Sequence, residues 1–336
     1  MPNRIRTKLV LLLALSVLLG GSLYLVQKVE IRRNNAPSLA REVEVKSNIS
    51  DYDSGQKPIV AGNPTRILFL GDFMFDRYIR QVAEHKGNDF MFEKVDELLG
   101  GADLVVANLE GPITNSSSIS KGSEFGVKEN YIFTFAPNVA TTLKKHRIDL
   151  VCLGNNHILN FKTSGVEQTE KYLAEAGVSY FGSPLENSGS RFRVMDFGNL
   201  KIAFVNYNQF TTNCREKVLE DIGLAKNQAD VVVVYAHWGK EYETEPLLKV
   251  KTLAHELVDA GADLIIGSHP HVVQSQEVYR GKTIYYSLGN FIFDQYFQKE
   301  TAEGLAVMAQ IDPKDLSVGF QDFRLILQNN GQTRPQ

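Results

Sequence analysis

The chain has 336 residues, of which 43% are hydrophobic and 22% charged, with a net charge of −3. This is globular composition, long enough for one large buried core or two domains. The near-neutral balance carries no basic footprint for nucleic acid. Two cysteines, Cys152 and Cys214, cannot make a disulfide framework or a zinc finger.

Arg4, Arg6 and Lys8 precede residues 9–26, LVLLLALSVLLGGSLYLV, a run without a charge. As a helix it would extend about 27 Å, close to the hydrocarbon thickness of a bilayer. Residues 1–29 therefore read as an uncleaved signal-anchor, basic end inside. The remainder would lie outside the cell membrane in a single-pass topology. Lys28, Arg32 and Arg33 follow the span and keep the charge bias modest. A cleaved signal peptide is the alternative reading. Residues 30–65 are polar and aperiodic, the composition of a flexible linker. The tail 328–336, QNNGQTRPQ, is expected to be disordered. The folded domain is then 66–327.

Within that domain one pattern recurs. RILFLGD begins at Arg66, ADLVVANLEGP at Ala102, IDLVCLGNNH at Ile148, ADVVVVYAHWG at Ala229 and ADLIIGSHPH at Ala262. Each is a short apolar run that ends in polar residues, as strands covered on both faces do. Four of the five start with an aspartate after a helix-like segment. One of those segments opens with Ser164 and carries Glu167 three residues later, a capping-box signature. Strand–helix alternation predicts βαβ units and a largely parallel sheet. KKHR at 144–147 reads as the charged end of a helix. Cys152 lies inside an apolar run, and both cysteines read as unpaired buried thiols. Alternating runs flank Gly198-Asn199, Arg280-Gly281 and Asp312-Pro313, which predicts hairpins and a second sheet packed on the first.

The strand ends carry the chemistry. In open α/β sheets ligands gather beyond the carboxyl ends of the strands. There this chain places Asp72, Asn108, Glu110, Asn155, Asn156, His157, His237, His269 and His271. Carboxylates, carboxamides and imidazoles together suit a divalent metal such as Mn, Fe or Zn. Each alone has a structural reading, as a cap, a turn former or a satisfied core histidine. Five strand ends in agreement point to a metal cluster. On an extended backbone, alternation would send the rings of His269 and His271 the same way.

In order, FLGDFMF, NLEGP, GNNHILN, HWGKEY, GSHPHVVQ and YSLGNFIFDQ resemble the CapA family of poly-γ-glutamate capsule proteins, in the calcineurin-like metallophosphoesterase superfamily. The likeness runs from Arg66 to Gln295. It implies an α/β fold of two packed mixed β-sheets flanked by helices, with a metal site at one edge. It also implies a membrane-anchored extracellular domain that works on poly-γ-glutamate with the subunits of a membrane-associated polymer synthetase. Carried onto this chain, the resemblance gives one metal position Asp72, Glu110 and His271. The other receives Glu110, Asn156, His237 and His269, and His157 becomes the acid beside it. One or two divalent ions follow. The chain departs from the pattern at Met74, where a histidine ligand is usual, at Asn160, where an aspartate is common, and at Ser268, a histidine in many relatives. Three functions stay open at this point: a capsule hydrolase or transferase, a metal-dependent phosphoesterase unrelated to capsule, and a non-catalytic scaffold that binds polymer.

Overall fold

The structure is a computed structural model that describes residues 63–185 and 191–336. The predicted anchor, and the linker up to residue 62, lie outside the described residues. No helix among the described residues is long and apolar enough to cross a membrane.

In chain order the strands begin with β1 (Thr65–Phe73), β2 (Leu104–Leu109), β3 (Leu150–Cys152), β4 (Ser179–Phe181), β5 (Phe192–Asp196), β6 (Lys201–Asn208) and β7 (Val231–His237). They continue with β8 (Leu264–Ser268), β9 (Gln276–Tyr279), β10 (Lys282–Tyr285), β11 (Asn290–Ile292), β12 (Glu303–Ile311), β13 (Val318–Leu327) and β14 (Thr333–Pro335). The helices are α1 (Arg77–Lys86), α2 (Asp96–Gly100), α3 (Asn138–Lys145), α4 (Lys162–Ala176), α5 (Cys214–Lys226) and α6 (Leu248–Ala260).

Two mixed sheets result. One has the order β14-β13-β12-β1-β2-β3-β4, with β11 also paired to β1; the other has the order β5-β6-β7-β8-β10-β9. The five predicted strands run parallel, but they do not share one sheet. β1, β2 and β3 lie in the first, whereas β7 and β8 lie in the second. The three predicted hairpins form as β5–β6, β9–β10 and β12–β13; the first two flank the second sheet and the third extends the first.

Burial on both faces explains the continuous apolar runs. β1 sends Ile67 and Phe69 between the sheets, against Phe204, Val233 and Ile266. It sends Leu68 and Leu70 outward, into a cluster with Ile79 of α1, Leu143 of α3 and Val166 of α4. On the far sheet Val205, Val232 and Val234 pack with Ile222 of α5 and Leu257 of α6. The layers are helix, sheet, sheet, helix. The recurring aspartates hold the opposite edge: Asp103, Asp230 and Asp263 accept the N–H groups of Arg66, Lys201 and Val232 at 2.8–2.9 Å. Each carboxylate so satisfies a donor at the start of the neighbouring strand.

Three local expectations are corrected. The tail does not fray, since β14 pairs antiparallel with β13. Gln332 and Thr333 are buried, and the Gln332 amide donates to Phe90 O at 3.1 Å. Polar residues that composition assigns to solvent here have protein partners. Ser164 does not cap α4 but lies inside its first turn, with its hydroxyl donating back to Phe161 O at 3.2 Å. Of the two free cysteines only Cys152 is fully buried; Cys214 is partly exposed.

Candidate metal centre

Parallel strands end at the same edge, so residues beyond their carboxyl ends meet there. Register makes this specific. Asp72 pairs with Asn108 across β1 and β2, and Asn208, His237 and Ser268 align across β6, β7 and β8. A hydrogen bond from the Tyr235 hydroxyl to Leu70 O ties the two sheets together beneath this edge.

The seven residues that the resemblance assigns as ligands or acid lie together here in one cluster, with Asn108 and Asn155 beside them. Glu110 is its centre: fully buried, with Oε1 3.6 Å from His271 Nε2, 3.8 Å from His237 Nε2 and 3.9 Å from His157 Nε2. Among the described residues, candidate ligand atoms lie within 4.8 Å of one another in the sets Asp72–Glu110–His271 and Glu110–His237–His269. Asn156 joins through Oδ1, 2.8 Å from His237 Nε2. Both Glu110 oxygens and His269 Nδ1 are buried without a hydrogen-bond partner among the described residues. In folded proteins the large majority of buried polar atoms have a partner, and here three such orphaned atoms fall in one cluster. Two carboxylates, three imidazoles and a carboxamide with such atoms turned inward fit a divalent cation.

A surrounding shell orients these groups. Asn108 donates from Nδ2 to Asp72 Oδ1 at 2.8 Å, and Asn155 donates to Asn108 Oδ1 at 3.1 Å. The second Asp72 oxygen accepts the His269 N–H at 3.1 Å. Asn290 Oδ1 lies 2.9 Å from His271 Nδ1, which turns the other ring nitrogen toward Glu110. Ser268 Oγ lies 3.0 Å from His237 Nδ1. Asn160 Oδ1 accepts the Phe133 N–H and lies 3.1 Å from His157 Nδ1, so the His157 proton sits on Nδ1 and Nε2 is bare toward the site. The backbone at His269 and His271 is not extended, contrary to expectation. Their φ angles are +94° and +58°, left-handed values that non-glycine residues seldom adopt. Such strain is held where packing over-determines it. Met74 is fully buried in the apolar core, and its sulfur accepts the Asp76 N–H at 3.0 Å.

Burial makes most of the imidazoles neutral, the form that binds metal. It pushes His269 down to about 3 and His157 down to about 4, with the neighbouring His271 adding to both shifts. Burial also lowers His237 well below the ordinary histidine value. His271 goes the other way: burial alone would lower it, but the Glu110 and Asp72 carboxylates outweigh that and raise it to about 9. Burial likewise raises the Glu110 carboxyl well above its usual range. The metal-free His271 thus retains a proton at neutral pH that a cation must displace. Uptake of Mn²⁺ should release protons, and affinity should climb about tenfold per pH unit from pH 7 to 9, then level off. Calorimetry in buffers of different ionisation enthalpy reads this directly; pH-independent uptake would contradict it.

Two participants escaped the sequence reading. Asn290 lies in YSLGNF and Glu241 in HWGKEY, both within the matched motifs. Their residue types within those motifs were the available signal. What they contact depends on loops that periodicity does not describe.

Comparison with known proteins gives a consistent frame. A family model described as "Bacterial capsule synthesis protein PGA_cap" matches residues 66–295. The chain is 32% identical over 243 residues to the PGA biosynthesis protein CapA of Bacillus subtilis (strain 168), covering 68% of this chain and 63% of that protein. It is 31% identical over 253 residues to the capsule biosynthesis protein CapA of Bacillus anthracis, covering 68% and 60%. The match thus spans less than two thirds of either relative's length. Among solved structures, TT1561 of Thermus thermophilus aligns over 77% of this chain and 99% of its own, at 10% identity and a TM-score of 0.41.

Proposed function

The chain belongs to the bacterial capsule synthesis protein PGA_cap family, and from that premise we propose that it serves the biosynthesis or export of an extracellular capsule polymer, poly-γ-glutamate, through a metallophosphoesterase-like metal centre. In this reading residues 9–26 anchor the domain outside the membrane, beside the synthetase subunits that make the polymer. The observation that carries the metal centre is Glu110, a fully buried carboxylate with both oxygens unpartnered and three imidazoles within 3.9 Å. An isolated buried carboxylate costs several kcal/mol, on the order of a sizeable part of a domain's stability, unless a cation compensates it.

Asp72, Glu110 and His271 would hold one ion, and Glu110, Asn156, His237 and His269 the other. A bound divalent ion supplies Lewis-acid polarisation of a phosphoryl or acyl oxygen. His157 is the proton-handling group. Its ring is clamped by Asn160 on one nitrogen and by the Phe133 ring at 4.3 Å, and its Nε2 faces the cluster. A neutral His157 can accept a proton at Nε2 and return it to a departing oxygen.

A second reading, a metal-dependent scaffold that binds the polymer carboxylates, draws on Asn160. A neutral amide behind His157 offers an imidazolium less support than a carboxylate would, and burial, which pushes His157 down to about 4, leaves the ring almost without a proton to donate at neutral pH. The test is metal analysis of the purified full-length chain, with turnover of a generic phosphodiester measured on the same sample. Metal with turnover supports the hydrolase, and metal without turnover supports the scaffold. Absence of tightly bound Mn, Fe or Zn after loading would end both readings.

A further inference from the structure

The His271-side position has three donors, Asp72, Glu110 and His271, because Met74 is committed to the core. A further carboxylate stands close to the two histidines of the turn. Among the described residues, Glu241 offers a carboxylate oxygen that lies with ligand nitrogens of His269 and His271 in a third set, all within 4.8 Å of one another. We propose that Glu241 is a further metal ligand of this centre, meeting it on the side of His269 and His271. The inference rests on the metal-centre reading above and adds to it a residue that sequence pattern does not assign.

The placement of Glu241 is built by its neighbours. It follows β7 on a short segment fixed before and after it. Gly239, at φ +93°, exchanges two hydrogen bonds with the Gln209 amide, both at 2.8 Å. Trp238 is buried and donates from Nε1 to Tyr286 O at 2.9 Å. On the other side the Tyr242 N–H donates to Pro270 O at 2.8 Å, and Pro270 is the residue between the two histidines. The Tyr242 hydroxyl accepts from Gln295 at 3.2 Å. One hydrogen bond therefore joins the segment carrying Glu241 to the turn carrying His269 and His271. His269 Nδ1, buried and unpartnered, belongs to the same corner. Glu110 is fully buried and Glu241 only partly so, which puts the two carboxylates at different depths around the same imidazoles.

Charge supports the assignment. Two divalent ions bring four positive charges, and Asp72 with Glu110 offsets two of them. A third carboxylate leaves one positive charge, enough to attract an anionic substrate group without over-neutralising the centre. Harder divalent ions also prefer carboxylate oxygen to a thioether.

The test is titration of the metal-free full-length chain with Mn²⁺, followed by electron paramagnetic resonance of the free ion. Glu241→Ala is expected to weaken Mn²⁺ uptake by at least about tenfold, since losing even an outer partner of a ligand costs 10–100-fold. Glu243→Ala removes an equal charge from the same loop and should bind as the native chain does. Thermal unfolding of the metal-free variants checks that each is folded. If Glu241→Ala matches the native chain, or Glu243→Ala weakens binding equally, the assignment is wrong while the metal centre stands. If the native chain takes up no Mn²⁺, the metal centre itself fails.

Discussion

His157→Ala is expected to keep the native metal content while lowering phosphodiester turnover by about 10²–10⁴-fold, the usual scale of a lost proton-transfer group. His157 Nε2 is the most distant of the three imidazole nitrogens around Glu110, at 3.9 Å, and His157 belongs to none of the three tight ligand sets. Its removal takes away a proton acceptor and leaves every candidate ligand in place. His269→Ala should behave differently. His269 appears in two of the three sets, so its loss should remove metal and turnover together. Metal analysis and kinetics on the two variants separate the roles. If cells make normal capsule with His157→Ala but none with His269→Ala, the centre is a metal-dependent scaffold and the hydrolase reading is wrong. If both variants support normal capsule, the cluster is not the working part of the protein.

The second large effect is on stability. Gly267→Ala in β8 should cost about 3–5 kcal/mol, the sum of overpacking a tight interior and breaking a buried hydrogen bond. A Cβ at Gly267 would lie 2.0 Å from Tyr286 O and 2.7 Å from Trp238 Nε1. Those two atoms are bonded to each other at 2.9 Å, and the Gly267 carbonyl accepts the Leu288 N–H at 3.0 Å. No side-chain rotation relieves such a clash, because the first obstacle is backbone. β8 would have to move, and His269 is two residues further on. Urea unfolding should show the loss in midpoint, with weaker metal binding in the fraction that folds. A variant within about 1 kcal/mol of the native chain would mean that β8 and the Tyr286–Leu288 segment separate easily.

Much of the architecture was legible because its causes are local. A strand covered on both faces needs an unbroken apolar run, and β1, β2, β7 and β8 are such runs. The turns at Gly198-Asn199 and Arg280-Gly281 require the conformations that these residues provide; Gly198, Arg280 and Gly281 all have positive φ. The site was legible for a related reason. Parallel strands of one sheet end at the same edge, so polar residues at their ends gather there, and the packing of the two sheets brings both sets together.

By itself the sequence determined the strands, their parallel direction and the chemistry of their ends, since hydrophobic periodicity and residue type are properties of short segments. Only the tertiary structure decided which strand lies beside which. Pairing β1 with β2 and β7 with β8 divides one apparent parallel series between two sheets, and that choice is made by contacts distant in the chain. Position three after Gly71 could have supplied a ligand or a core side chain, and packing put Met74 in the core. Composition made the last residues look solvated, but an open edge on β13 gave them a strand to pair with. The left-handed turns at His269 and His271 and the loop that brings Glu241 beside them are likewise set by non-local hydrogen bonds, Tyr242 to Pro270 and His269 to Asp72, which no short stretch of sequence contains.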